Sequence, residues 1–165
     1  MSYIEIDYPT DKPSFYKLLT EQLQIYTASA PSPMAALANA AAVLHAALND
    51  INWVGFYLVS GSRLVLGPFQ GKPATMEIGF DQGVCGAAWR EKQAQVVKDV
   101  HCFVGHIACD CSSSSELVVP VLAPNGEVLG VIDIDSTVPA RFDEADAEGL
   151  ALANDLLAAL MIERR

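Results

Sequence analysis

Ser115-Glu116-Leu117-Val118-Val119-Pro120-Val121-Leu122-Ala123-Pro124-Asn125-Gly126-Glu127-Val128-Leu129-Gly130-Val131-Ile132-Asp133-Ile134-Asp135 holds two apolar, β-branched runs separated by a turn signal. It reads as a hairpin of Glu116–Leu122 against Glu127–Asp135, with Asn125-Gly126 expected to supply the positive φ angles of a tight turn. The two-residue period of a strand sets Asp133 and Asp135 on one face, Ile132 and Ile134 on the other. Glu116 opens the partner strand and can join the aspartates. Like charges held close raise at least one pKa, so one of these acids can stay protonated near neutrality and donate a proton. The same pattern also describes a strand end that emerges into solvent, with the acids merely hydrated.

Outward from the hairpin, the segment Asp11-Lys12-Pro13 is a helix start. Phe15, Leu18, Leu19, Leu23 and Ile25-Tyr26 follow it at near-helical spacing. After the Pro31-Ser32-Pro33 break, the Ala-rich stretch from Met34 to Leu48 predicts a second helix with small, closely packing side chains. Ile51 to Val59 and Arg63 to Phe69 read as strands joined by Ser60-Gly61-Ser62, and Met76-Glu77-Ile78 as a short strand. Val84 to Arg90 predicts a short helix, Gln93 to Val97 a strand, and Asp143 to Ile162 a final amphipathic helix. Between Lys98 and Ser115 lies a connection long enough to suspect a functional role. No repeat, low-complexity tract or interdomain linker interrupts the chain, and its 165 residues fit a single domain, 1–165.

Composition narrows the function. A hydrophobic fraction of 52% is incompatible with a disordered chain, and no apolar run approaches the roughly 20 residues of a membrane span. The net charge of −10, with ten Lys plus Arg, argues against a nucleic-acid partner and for a small ligand. Met1-Ser2-Tyr3-Ile4-Glu5-Ile6-Asp7 lacks the basic and apolar regions of a secretory signal, so the expectation is a cytoplasmic protein with free thiols.

Those thiols are the third signal. Gly105-His106-Ile107-Ala108-Cys109-Asp110 places a cysteine in a polar loop near two histidines, a setting for thiol redox chemistry. Cys85 falls at the N-terminus of the short predicted helix, where unpaired amides and the helix dipole favour a thiolate. His101, Cys102, His106, Cys109 and Cys111 are also potential zinc ligands, but their spacing lacks the paired C-x2-C units of a zinc ribbon or finger, and no metal is assigned. A buried, inert thiol is the other fate open to Cys109.

Several uncommon motifs in one order make the chain resemble the free methionine-(R)-sulfoxide reductases, a family of single GAF domains. They are Asn52-Trp53-Val54-Gly55-Phe56-Tyr57, Leu66-Gly67-Pro68-Phe69-Gln70-Gly71-Lys72, Gly83-Val84-Cys85-Gly86, Asp99-Val100-His101, Gly105 to Asp110, Ser115-Glu116 and Asp133-Ile134-Asp135-Ser136. The resemblance implies an α+β, GAF-like fold: a central antiparallel sheet with helices on one face and, on the other, a ligand pocket covered by loops. The expected order of strands and helices agrees with it. One departure stands out: the family often has a resolving cysteine shortly after Gly71-Lys72, where this chain has Thr75.

The activity implied is reduction of free L-methionine-(R)-sulfoxide to methionine without a cofactor, a reaction tied to oxidative stress. Cys109 thiolate attacks the sulfoxide sulfur, and an acid among Glu116, Asp133 and Asp135 protonates the departing oxygen. Another of these acids holds the substrate ammonium. Cys109 is left as a sulfenic acid that a second thiol converts to a disulfide, with thioredoxin as reductant. With Thr75 unable to serve, the resemblance leaves Cys85 as resolving thiol, and Cys102 and Cys111 as its alternatives. Trp53 and Tyr57 resemble the family's aromatic wall for the S-methyl group, and core packing is their other role. A homodimer is the family's precedent. A non-catalytic GAF sensor, binding a small ligand or sensing oxidant through the same thiols, is the alternative function, since one fold serves both.

Overall fold

Asp11 and Ser32 accept hydrogen bonds from backbone amides three residues on and open two helices with proline in the first turn: α1, Lys12–Thr27, and α2, Pro33–Ala47. The computed structural model describes residues 6–103 and 112–162. After α2 come β1 (Trp53–Ser60), β2 (Arg63–Gln70), β3 (Glu77–Gly79), α3 (Gly83–Glu91) and β4 (Gln95–Val97). A 3-10 turn, Val100–Cys102, precedes β5 (Ser115–Leu122) and β6 (Val128–Ser136), and the chain closes with α4 (Glu144–Ala151) and α5 (Asn154–Ile162).

The six strands form one sheet in the order β3-β2-β1-β6-β5-β4, every neighbouring pair antiparallel. Helices α1, α2, α4 and α5 cover one face, sealing a core that includes Leu19, Leu23, Leu37, Leu44, Phe56, Ile132, Ile134 and Leu157. On the other face α3 packs with Trp53, Tyr57, Val118 and Val131 over a second, smaller core. The fold is α+β, as expected. β5 and β6 lie between two covered faces, which explains their almost unbroken apolar runs.

Three details differ from the sequence reading. In the β5–β6 turn the positive φ falls on Gly126 alone, at +80°. Asn125 contributes through its side chain instead, its Oδ1 accepting from Glu127 N at 3.0 Å. The final helix is two helices. Asn154 bonds both main-chain groups of Leu122, accepting from its N at 2.8 Å and donating to its O at 3.1 Å, and so caps the point where β5 ends. The connection after β4 is also partly built: Asp99 caps the 3-10 turn by accepting from His101 N, and Val100 N donates to Ser114 O at 3.0 Å.

Candidate functional site

Cross-strand register assembles the site. Trp53 of β1 lies opposite Asp135 of β6, which lies opposite Glu116 of β5. The next row on the same face is Gly55, Asp133 and Val118, and the one after it begins with Tyr57. Ile132 and Ile134 turn to the helical core. The three acids are therefore on one face, as the two-residue period requires, and they are buried rather than emerging into solvent: Glu116, Asp133 and Asp135 are only 5%, 2% and 4% exposed.

α3 completes the cluster by laying its first turn over this face. Cys85 Sγ and one carboxylate oxygen each from Glu116 and Asp133 lie within 4.8 Å of one another, all three residues buried. Burial pushes Glu116 well above the usual carboxylate range, and the charge of Asp135 pushes it further. Asp133 is raised by burial and then by Glu116, while a hydrogen bond from Cys85 opposes the rise. Asp133 Oδ1 is buried and has no hydrogen-bond partner among the described residues. Chemically, the cluster holds carboxyl groups that burial makes harder to ionise than exposed ones. Cys85 is at its expected place near a helix N-terminus, but carboxyl groups rather than cations face its sulfur.

The aromatics expected to form a wall, with a third beside them, come from β1 and β2. Trp53 stacks on Tyr57 with ring centroids 6.0 Å apart and on Phe69 at 5.3 Å. Its ring lies across Gly55, where a Cβ would stand 2.6 Å from Trp53 Cη2 and 2.4 Å from Phe69 Cβ. Trp53 Nε1 donates to Lys72 O at 3.1 Å, and Tyr57 hydroxyl donates to Thr75 O at 2.8 Å. Both aromatics thus pack in the smaller core and also pin the segment between β2 and β3 above it. Thr75 meets the site through its carbonyl.

The long connection is anchored beside the acids. Asn52 N donates to Asp135 O at 2.9 Å, and Asn52 Nδ2 donates to Ser113 Oγ at 3.1 Å. Cys109, together with His106 and Cys111, falls outside the described residues. Cys102 is exposed and its thiol donates to Asp99 Oδ2 at 3.5 Å, a contact that raises its pKa. Sequence reasoning did not find Phe69, the need for glycine at position 55, or the closeness of Cys85 to Glu116 and Asp133.

Comparison with known proteins gives a consistent result. The GAF domain family model matches residues 37–161. The chain is 49% identical to the free methionine-R-sulfoxide reductase of Escherichia coli over 140 residues, 85% of this chain and 84% of that one. It superposes on the free methionine-R-sulfoxide reductase of Neisseria meningitidis, solved in complex with its substrate, with a TM-score of 0.88. That pair is 41% identical over 96% of this chain and 95% of the other. A putative GAF sensor protein from Burkholderia vietnamiensis is similar too, with a TM-score of 0.83 and 45% identity over 93% of this chain and 95% of that one.

Proposed function

The chain belongs to the GAF-domain family of free methionine-(R)-sulfoxide reductases and is an oxidoreductase, and from that premise we propose that it reduces free L-methionine-(R)-sulfoxide to methionine by a cysteine sulfenic acid mechanism. One observation carries the reading beyond the family: a buried cluster of carboxyl groups, whose burial raises their pKa, set beside stacked aromatics and a thiol. Cys109 thiol takes the sulfoxide oxygen, yielding methionine and Cys109 sulfenic acid. A protonated carboxyl, Glu116 or Asp133, supports the departing oxygen. The sulfenic acid and Cys85 thiol then form a disulfide and release water, and a dithiol such as thioredoxin restores both cysteines.

Cys85 is preferred as resolving thiol because it is buried within the acidic cluster, whereas Cys102 points to solvent against Asp99. Trp53 and Tyr57 bind the S-methyl end, and Asp135 with its neighbours binds the ammonium. The same reading takes residues 1–165 as one GAF domain that works as a cytoplasmic homodimer. Among the described residues no helix is long and apolar enough to cross a membrane.

The test follows methionine released from separated sulfoxide epimers and from the N-acetylated (R) compound. Turnover is expected for the free (R) epimer and lost in Cys109→Ser. The N-acetyl compound should fall a hundredfold or more in kcat/KM, since an unpaired buried charge costs about 3–5 kcal/mol. Equal rates for the free and acetylated compounds would remove the ammonium role from the acids. Binding of a small ligand without turnover would favour the sensor, a function suggested by the name of the Burkholderia relative.

A further inference from the structure

We propose that Cys85, Glu116 and Asp133 form a binding site for one borderline divalent cation, Zn²⁺ foremost, and that the cation shuts off the reductase while it is bound. The donor set is the first argument. One thiolate and two carboxylates combine soft and hard ligands in a way that suits zinc, and three protein ligands leave a fourth position open. The second is geometry. With Zn–S near 2.3 Å and Zn–O near 2.1 Å, tetrahedral ligands stand about 3.5 Å apart. The three donors here already lie within 4.8 Å of one another, so small side-chain rotations suffice to close the site. They come from α3, β5 and β6, whose backbones are packed together.

The third argument is a spare acceptor on a ligand side chain. Asp133 is 2% exposed and its carboxyl meets Cys85 and Glu116, yet its Oδ1 finds no donor among the described residues, a costly condition that a cation held by this carboxylate would relieve. Three anionic donors around a dication leave the site with one net negative charge. Thiolate and carboxylate are the forms of these side chains that bind the ion. This set shares no residue with the loop cysteines and histidines considered from sequence.

The binding stands on these contacts alone, whereas inhibition rests on the reductase reading, through Cys85 and the proton-bearing acids. The decisive measurement is competition between the reduced protein and a chromophoric chelator for Zn²⁺, without substrate. Wild type should take up one ion per chain. Cys85→Ser and Asp133→Asn should each bind at least tenfold more weakly, while Cys102→Ser/Cys109→Ser/Cys111→Ser retains full affinity. In that triple variant Cys85 is the one remaining thiol, so added Co²⁺ should show a thiolate charge-transfer band. Absence of stoichiometric uptake overturns the site, as does unchanged affinity in either single variant or loss in the triple one. Circular dichroism of each variant confirms that it is folded. In wild-type turnover, Zn²⁺ at saturating occupancy should inhibit and a chelator should restore the rate; an unaffected rate overturns the regulatory claim. A protein that binds Zn²⁺ but never turns over would instead refute the reductase reading and leave the site intact.

Discussion

Asp133 is held at a cost in stability, buried with one carboxyl oxygen lacking a partner among the described residues. Its carboxyl and that of Glu116 have pKa values raised above 3.8 and 4.5, first by burial, so the folded chain keeps protons that the unfolded chain releases. The sign of the linkage follows. Below pH 3.8 both states are protonated and the groups contribute nothing to pH dependence. As pH climbs past the unfolded values the unfolded state loses protons first, so stability falls until the raised native values are passed, and then levels off. Asp133→Asn removes one of these groups and keeps a neutral hydrogen-bonding side chain of the same shape beside Glu116 and Cys85. It should therefore stabilise the fold at neutral pH by about 0.5–2 kcal/mol, with the gain shrinking toward pH 4, while turnover drops sharply. Urea denaturation of both proteins across this range checks it, and an advantage that does not vary with pH would contradict the linkage.

At the scale of elements, β1 depends on a missing side chain. A methyl group at Gly55 would overlap Phe69 Cβ and the Trp53 ring, and Phe69 Cβ is fixed to the backbone. Gly55→Ala should cost about 1–3 kcal/mol, the usual range for overpacking, and should raise KM for the sulfoxide because the Trp53 wall must tilt. Near-ultraviolet circular dichroism would report the tilt, and an unchanged spectrum with unchanged KM would show that the ring has room. The period of two was enough to place Asp133, Asp135 and Glu116 together, because strand alternation is a local property. Phe69 was not legible for an equally concrete reason. Counting back from Ser60 opposite Arg63 would set Pro68 against Gly55, but the register slips where Gly67 and Pro68 pass Phe56, and Phe69 takes that place. The expected start of α3 did put Cys85 near a helix terminus. Which face of the sheet α3 would cover, and hence that Cys85 would meet Glu116 and Asp133, is fixed by tertiary packing that no local pattern encodes. The split between α4 and α5 was hidden similarly, since it answers to Asn154 capping Leu122 from a distant strand.

Across the whole molecule, the face opposite the site is joined by a buried polar knot between the two ends of the chain. Asp146 of α4, 2% exposed, accepts from Tyr16 hydroxyl and from Lys12 Nζ, both at 2.8 Å, and caps its own helix by accepting from Asp143 N. Lys12 also pairs with Asp143 at 2.7 Å, and burial with the nearby Asp146 charge pushes the Tyr16 phenol above its usual pKa. Tyr16 lies flat against Gly149, where a Cβ would fall 2.1 Å from its ring. α1 and α4 are thereby one layer, although about 130 residues separate them, and a single domain should lose both together. Asp146→Asn keeps the shape but weakens the contact to Lys12. Since Lys12 is partly open to solvent, the cost should be about 1–3 kcal/mol, in the range for hydrogen bonds to charged groups and below that for a fully buried pair. For a chain of this size that is a fall in Tm of roughly 2–12 °C. Calorimetry should show one transition in both proteins, and kcat/KM below the transition should be unchanged because the sheet separates Asp146 from Glu116 and Asp133. Two resolved transitions would contradict a single cooperative domain. A fall in kcat/KM with the fold intact would mean that the helical face and the site are coupled through the sheet.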